Sequence, residues 1–264
     1  MRSGGIRNTK VELQMKLNRN TNVESLQVSP PDAKPMLPAV PSSVVYNEDC
    51  VEALKRFPDK YFDLAVVDPP YGIGVNKGGH TLAGNGNFKG GNFKVAARKY
   101  KGGEWDNEPP KQEYFNELFR VSKNQIVWGA NHFIERMPYN ASGWIVWDKD
   151  NGESYQADCE LAWTSFDKAV RKFTWRWWGL LQQNMKNKEE RIHPTQKPVA
   201  LYKWILMNYA SEGNLILDTH VGSGSIREAC YDLKFPFIGF EIDKDYYEAQ
   251  EKRFKDFVSQ LRLF

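Results

Sequence analysis

A carboxylate, two prolines and an aromatic ring follow one another at Asp68, Pro69, Pro70 and Tyr71. They end the apolar run Phe62–Val67, which is typical of a buried strand in a parallel sheet. Ligands of open α/β sheets bind just outside the carboxyl ends of the strands, and consecutive prolines keep the chain extended there. Because Asp-Pro also opens ordinary turns, this segment alone is equally consistent with a turn and with a site.

A second group of residues predicts a nucleotide-type cofactor site. The segment from Asp218 to Gly224 follows the predicted strand 215–217 and opens a helix. Its glycines allow the backbone to approach a ligand closely, and the helix N-terminus offers free N–H groups. The third glycine of the dinucleotide-binding fingerprint is missing. Glu241 comes directly after the next predicted strand, where an acidic side chain can bind both hydroxyls of a ribose.

Together with the segment from His193 to Pro198, these motifs resemble the amino-group DNA methyltransferases that use S-adenosylmethionine. The catalytic motif precedes the cofactor loop, which is the permuted order of the beta group of that family. The short interval 178–192 resembles the small modification enzymes of phages and mobile elements. The resemblance implies an α/β, Rossmann-like methyltransferase fold. We expect a mixed, mostly parallel sheet with helices on both faces and an antiparallel hairpin at one edge.

The resemblance implies transfer of a methyl group from S-adenosylmethionine to N6 of adenine in DNA. Asp68 favours adenine, because the cytosine-N4 enzymes of the family usually have Ser at that position. Cytosine-N4 methylation stays open, as does a non-catalytic DNA-binding regulator that keeps the scaffold. Methyltransferases that act on glutamine side chains usually have Asn first and the cofactor loop upstream, and neither feature is present here.

The family pattern also implies residue roles. Asp68 and Pro69 would orient the target amine, and Tyr71, which follows Pro70, would stack on a base swung out of double-stranded DNA. No metal is needed for this chemistry. The residues expected to bind the cofactor are Asp49, Cys50, Thr195, Lys197, Asp218, Thr219, His220, Gly222, Ser223, Gly224, Glu241 and Ile242.

Different parts of the cofactor are assigned to different residues within that set. The loop from Asp218 to Gly224 would hold the methionine end, Glu241 the ribose, and Asp49 with Cys50 the adenine. Thr195 and Lys197 are candidates for the cofactor carboxylate. His220 stands where the family usually has Phe. Whether its side chain packs against the cofactor as Phe would is left open, whereas the backbone contacts of the glycine loop do not depend on this residue.

Basic residues are concentrated in two segments. Residues 73–103 form a glycine-rich stretch with six basic and no acidic residues, which favours a loop that contacts DNA. Residues 167–192 are the candidate recognition region. The residues expected to contact DNA are Lys89, Lys94, Arg98, Lys99, Arg171, Lys172 and Arg176. The aromatic residues Phe173, Trp175 and Trp177 alternate as in a half-buried strand, so core packing is favoured for them.

Composition limits the remaining possibilities. With 264 residues and a net charge of +3, the chain predicts one domain with insertions. Residues 1–42 predict a flexible polar extension and residues 43–264 the methyltransferase domain. Three distant cysteines argue against disulfides and zinc, and no apolar run is long enough for a membrane span, so a cytoplasmic protein is expected. A homodimer and a restriction endonuclease partner are left open.

Overall fold

The computed structural model describes residues 42–74, 106–152, 157–178 and 181–260, without the side chain of Trp178. The predicted N-terminal extension lies outside these residues apart from its last position. So does the basic loop apart from Ile73 and Gly74, and with it Lys89, Lys94, Arg98 and Lys99. These predictions therefore remain predictions.

Ten strands and five α-helices make up the described part of the chain. The strands are β1 (Ser43–Tyr46), β2 (Phe62–Val67), β3 (Ser122–Trp128), β4 (Trp144–Asp148), β5 (Cys159–Thr164), β6 (Arg171–Thr174), β7 (Trp177–Trp178), β8 (Leu181–Gln182), β9 (Ile216–Asp218) and β10 (Phe237–Phe240). The helices are α1 (Cys50–Leu54), α2 (Gln112–Val121), α3 (Val199–Tyr209), α4 (Ser225–Asp232) and α5 (Lys244–Ser259). Two single-turn 3₁₀ helices, Ala130–His132 and Ile134–Arg136, follow β3. None of the helices in the described ranges is long and apolar enough to cross a membrane.

Eight strands form one sheet in the order β1-β10-β9-β2-β3-β5-β4-β6. The neighbours from β1 to β3 are all parallel, β5 is antiparallel to both β3 and β4, and β6 is parallel to β4. The strands β7 and β8 form a separate antiparallel pair. The predicted mixed, mostly parallel sheet is therefore confirmed.

Strand β2 shows why the sheet is covered on both faces. Its side chains alternate between two cores, as the period of two in a strand requires. Leu64 and Val66 pack in the core that contains the apolar residues of α3 and α4. Ala65 and Val67 pack in the core that contains those of α1 and α2. A central strand that is buried on both faces explains the uninterrupted apolar run that ends at Asp68.

One predicted pairing is wrong. The sequence predicts a hairpin between 160–163 and 172–177, but β5 pairs on one side with β3 and on the other with β4. Both edges of β5 are therefore occupied, and β6 adds to the free edge of β4 in parallel orientation. The antiparallel hairpin is formed by β4 and β5, and β6 is the edge strand.

The central strands bring the two predicted motifs together. β9 and β2 are parallel neighbours, with Ala65 beside Leu217 in the register. From β9 the chain continues through α4 to β10 on one side, and from β2 through α2 to β3 on the other. This reversal of direction creates a crevice at the carboxyl ends of the two strands. Asp68 follows β2 and Asp218 ends β9, so both carboxylates lie at that crevice.

Candidate active site

A single cavity of about 820 Å³ extends across the carboxyl ends of β2 and β9. One part of its wall is the segment from Asp68 to Tyr71, and another is the segment from Thr219 to Ser223. This volume is within the range of small-molecule and cofactor sites. The two predicted motifs therefore share one space, which could place a cofactor and a second reactant side by side.

Asp68 is held by two hydrogen-bond donors at the floor of the cavity. The Tyr71 hydroxyl donates to Oδ1 of Asp68 at 2.7 Å, and Nζ of Lys197 lies 2.5 Å from Oδ2. Burial raises the pKa of Asp68 above its ordinary value, while the Lys197 ammonium and the two hydrogen bonds oppose that rise. The carboxylate is thus fixed in direction before any ligand is bound.

The ring of Tyr71 has a seat made by two residues after β3. Gly129 has φ +68°, and a Cβ atom there would lie 2.0 Å from Cε1 of Tyr71, so only glycine leaves room for the ring. His132 stacks on the ring with centroids 5.1 Å apart. Asp106 accepts hydrogen bonds from the backbone N–H groups of Tyr71 and Gly72 at 2.8 and 3.0 Å. The Pro-Pro-Tyr turn is therefore constrained at both backbone and side chain.

Lys197 lies beside Asp68. Its ammonium is almost fully buried, and it is also 3.0 Å from Oε2 of Glu160. The other oxygen of Glu160 is 2.7 Å from Nζ of Lys149. The sequence assigned Lys197 to the carboxylate of the cofactor; the contacts in the structure do not favour that assignment, because two carboxylates of the protein already engage the ammonium.

The predicted cofactor loop has the backbone conformation that such a loop requires. Gly222 and Gly224 have φ values of +52° and +74°, in the left-handed region, and Gly224 is the N-cap of α4. Asp218 accepts a hydrogen bond from the backbone N–H of His220 at 3.0 Å. Burial of this carboxyl raises its pKa to about 8. A cationic group in the cavity would favour the ionised form of Asp218.

Glu241 connects the end of β10 to the glycine turn. Its Oε2 accepts from the backbone N–H of Gly222 at 2.8 Å, and its Oε1 accepts from that of Asp243 at 2.9 Å. Burial raises the pKa of Glu241, and these backbone donors oppose the rise. Ile242 follows with its side chain exposed and lines the cavity.

His220 of the predicted site and the nearby His193 are both kept neutral by burial. Nδ1 of His193 lies 3.1 Å from Oγ1 of Thr195, and its ring packs edge-on against Tyr246. Burial lowers the pKa of His193 to about 3 and that of His220 to about 4. The ring of His220 packs edge-on against Tyr114 at a centroid distance of 5.3 Å. The imidazole of His220 thus packs beside an aromatic ring of α2.

Asp49 and Cys50, the predicted adenine-binding pair, lie at the start of α1 and line the cavity. Asp49 is the N-cap of that helix and accepts from the backbone N–H groups of Val51 and Glu52 at 2.9 and 3.0 Å. Burial beside acidic neighbours raises the pKa of the Cys50 thiol to about 12, which excludes a reactive thiolate at neutral pH.

The residues present fit S-adenosylmethionine. The cavity wall includes a left-handed glycine turn for close backbone approach and the buried Glu241, and the buried Asp218 directly precedes the lining segment 219–223. A cationic amino acid end and a ribose need such partners. All the predicted cofactor residues line this cavity except Asp218 and Gly224, which flank the lining segment 219–223.

Residues 123–252 match the sequence model of the N6/N4 methyltransferase family, described as DNA methylase. The chain is similar to the type II methyltransferase M.HpaI of Haemophilus parainfluenzae, with 28% identity over 78% of this chain and 72% of that one. It is 26% identical to the type II methyltransferase M.HinfI of Haemophilus influenzae, over 81% of this chain and 68% of the relative. These matches make the chain a DNA methyltransferase, with the sequence pattern of the N6/N4 family over residues 123–252. Methyltransferases with this pattern use S-adenosylmethionine as the methyl donor, as the sequence predicted.

A solved structure of the cytosine-N4-specific PvuII DNA methyltransferase has the same fold as this methyltransferase. The two are 12% identical, with a TM-score of 0.50 over 81% of this chain and 89% of that one. At this identity the likeness establishes the fold alone. The predicted Rossmann-like methyltransferase fold is confirmed.

Two of the three basic residues expected to contact DNA in the predicted recognition region, Arg171 and Lys172, lie on the edge strand β6, and Arg176 follows that strand. Arg171 is exposed on β6, Lys172 pairs with Asp148 at 3.1 Å, and Arg176 pairs with Asp150 at 2.5 Å. Their DNA-binding role stays a prediction. The expected core packing of the aromatics is confirmed, because Trp177 is buried in the core and Phe173 and Trp175 pack against it.

Sequence reasoning missed Glu160, Lys149, Asp106 and Gly129. Glu160 carries a signal of its own, since a charged residue inside a strand that is otherwise apolar needs a partner. Asp106 and Gly129 gave no signal, because their roles depend on contacts with Tyr71 from distant parts of the chain.

Proposed function

We propose that this methyltransferase transfers the methyl group to N6 of adenine in double-stranded DNA. The observation that carries the proposal is the shared cavity in which Asp68 and the turn from Thr219 to Ser223 face the same space. Asp68 can hold the target amine, and the glycine turn can hold the methyl donor in the same cavity. An in-line transfer needs this arrangement, because proximity supplies much of the rate acceleration.

The target amine is a weak nucleophile, since its nitrogen lone pair is delocalised into the aromatic ring. Asp68 and the main-chain carbonyl of Pro69 would accept hydrogen bonds from the NH₂ group and favour a pyramidal nitrogen. The nitrogen becomes positively charged as the new N–C bond forms, and a carboxylate fixed beside it stabilises that charge. After transfer, the nitrogen gives up one proton to water, so that the product amine is neutral.

S-adenosylmethionine, when bound, supplies an electrophilic methyl group on a sulfonium. Asp218 and Glu241 would hold its amino acid and ribose parts, and the backbone of the glycine turn would approach it closely. Tyr71 would hold the target base by its ring, and the base must leave the duplex to reach the cavity.

The assignment to adenine is supported by Asp68 at the first motif position. Cytosine-N4 transfer uses the same kind of exocyclic amine and the same geometry. The two reactions therefore differ in the target base and not in the role of Asp68. The experiment is to incubate the protein with S-adenosylmethionine and mixed-sequence duplex DNA, and to analyse the nucleosides by mass spectrometry. We expect N6-methyladenine; N4-methylcytosine would overturn the assignment to adenine.

A variant tests the proposed acceptor directly. Asp68→Ala should abolish transfer of a labelled methyl group while cofactor binding is largely kept, and Asp256→Ala on the exposed face of α5 is the matched control. Turnover by Asp68→Ala would remove Asp68 from the mechanism. A wild-type protein that binds cofactor and DNA but modifies neither base would instead favour the non-catalytic regulator.

A further inference from the structure

Four charged side chains form a chain of contacts that begins at Asp68. Lys197 Nζ lies 2.5 Å from Asp68 and 3.0 Å from Glu160, and Lys149 Nζ lies 2.7 Å from the other oxygen of Glu160. The side chain of Lys197 is 2% exposed, that of Asp68 17% and that of Glu160 23%. The two negative charges of the carboxylates and the two positive charges of the ammonium groups therefore cancel within a largely buried cluster.

We propose that Lys197 and Glu160 are positioning residues that keep Asp68 ionised and aligned as the amine acceptor. The proposal rests on the proposed function, in which Asp68 accepts hydrogen bonds from the target NH₂ group. Lys197 acts on Asp68 directly, and Glu160 acts through Lys197. Neither residue needs to touch the base or the cofactor.

Lys197 addresses the problem of a buried carboxylate. Burial favours the neutral form of Asp68, and a protonated carboxyl loses much of its strength as an acceptor. The adjacent ammonium opposes this effect. Lys197 also leaves room for the substrate, because each carboxylate oxygen has two lone-pair sites. Tyr71 occupies one site on Oδ1 and Lys197 one on Oδ2, so both oxygens keep a site for the amine.

Glu160 addresses the problem that Lys197 creates. An uncompensated ammonium beside Asp68 would repel the positive charge that develops on the target nitrogen. Glu160 lies 3.0 Å from the same ammonium and offsets its field, and Lys149 in turn keeps Glu160 ionised. Lys149 and Lys197 lower the pKa of Glu160 to about 2 against the effect of burial. Glu160 is thus charged throughout the range in which an enzyme works.

The remaining titratable groups around Asp68 come from four elements. They are Tyr71 after β2, Tyr114 of α2, Tyr202 of α3 and Asp218 of β9. Burial raises the pKa of each tyrosine, so the phenols stay neutral at working pH. Asp218 is expected to be ionised once the cofactor is bound. With cofactor and DNA bound, protonation of Asp68 should therefore cause the fall of the methyl-transfer rate at low pH. This fall is the acid limb of the rate against pH.

The test measures single-turnover methyl transfer against pH, with cofactor and DNA preloaded at saturation. Lys197→Met removes the ammonium, so the acid limb should move up by at least about one pH unit. Lys197→Arg keeps the charge and should restore the limb. Glu160→Gln removes a negative charge near Asp68, so the limb should move down while the plateau rate falls by about tenfold. Lys252→Met, at an exposed pair on α5, is the matched control and should match the wild type.

Shifts of opposite sign in the two variants are the expected signature, because a general loss of packing would lower the rate without moving the limb in opposite directions. An acid limb that stays in place in both variants overturns the proposal. If Lys197→Met does not fold, Glu160→Gln alone decides, and an unmoved limb again overturns it. Failure of the proposed function looks different, since the wild type would then leave DNA amines unmodified or Asp68→Ala would stay active.

Discussion

The carboxylate of Glu241 accepts a hydrogen bond from the backbone N–H of Gly222 at 2.8 Å. This contact joins the end of β10 to the turn after β9, although the residues are 19 positions apart in the chain. The second oxygen of Glu241 is held by the backbone N–H of Asp243. The expected ribose acceptor and the glycine cradle therefore form one rigid unit before the cofactor enters, which reduces the ordering that binding requires.

Glu241→Gln should weaken cofactor binding. The amide oxygen can still accept from Gly222, so the turn should keep its shape, but the charge that strengthens hydrogen bonds to ribose hydroxyls is lost. A hydrogen bond to a charged group contributes about 1.5 to 3 kcal/mol, which corresponds to a loss of roughly tenfold to a hundredfold in affinity. Calorimetric titration of S-adenosylmethionine measures it. Glu248→Gln, exposed on α5, is the control, and equal affinities in both variants would exclude Glu241 from the cofactor site.

Asp218 should make cofactor binding depend on pH. Its pKa of about 8 in the free protein means that the carboxyl is mostly protonated at neutral pH. A cationic amino acid end favours the ionised form, so binding should release a proton, and affinity should rise with pH until the pH reaches about 8. Calorimetry in two buffers of different ionisation enthalpy measures the proton. Asp218→Asn should release none; equal proton release by that variant would contradict the assignment.

The sequence predicted the parts of the site that lie within continuous motifs. Asp68 to Tyr71, the glycine turn and Glu241 each follow a strand, and parallel strands end at one edge of a sheet. Their meeting in one cavity was therefore readable from the order of elements. The apolar run Phe62–Val67 likewise predicted the buried strand β2 with its observed bounds.

The parts that the sequence did not predict depend on pairings between distant segments. Lys197 was placed by its position between two prolines, and no local pattern shows that Glu160 lies beside it. The pairing of β5 was missed for the same reason. A short connection favoured a hairpin of β5 with β6, whereas the observed pairing of β5 with β3 is a long-range contact that no local pattern shows. Gly129 is recognisable as special only when the ring of Tyr71 is seen against it.

His220→Phe should remove part of the acid sensitivity of the fold. The folded-state pKa of His220, about 4, lies below the ordinary value of 6.5, because burial opposes the charged form. The unfolded chain therefore binds more protons between these values, and stability falls as pH decreases through 6.5. Relative to the variant, the wild type should lose about 1 to 2 kcal/mol of unfolding free energy between about pH 7.5 and about pH 5. Urea unfolding at both pH values measures this, and parallel losses in both proteins would contradict it.

Gly129→Ala should displace the ring of Tyr71 from its observed position. A Cβ atom at position 129 would lie 2.0 Å from the tyrosine ring, so the ring must leave its place beside His132. Gly152→Ala is a matched control, because Gly152 has a similar φ of +62° and an added Cβ meets nothing within 4 Å. Both variants carry the cost of a left-handed alanine, about 1 kcal/mol, and only Gly129→Ala moves the ring.

The two variants should therefore differ in methyl-transfer rate but not in affinity for the cofactor. Gly129→Ala should lower the methyl-transfer rate by at least about tenfold, since a displaced ring misaligns both the base and Asp68. Its affinity for S-adenosylmethionine should stay near that of the wild type, because the glycine turn after β9 is untouched. Gly152→Ala should transfer methyl groups at the wild-type rate. Equal rates in the two variants would mean that the position of the Tyr71 ring does not control the reaction.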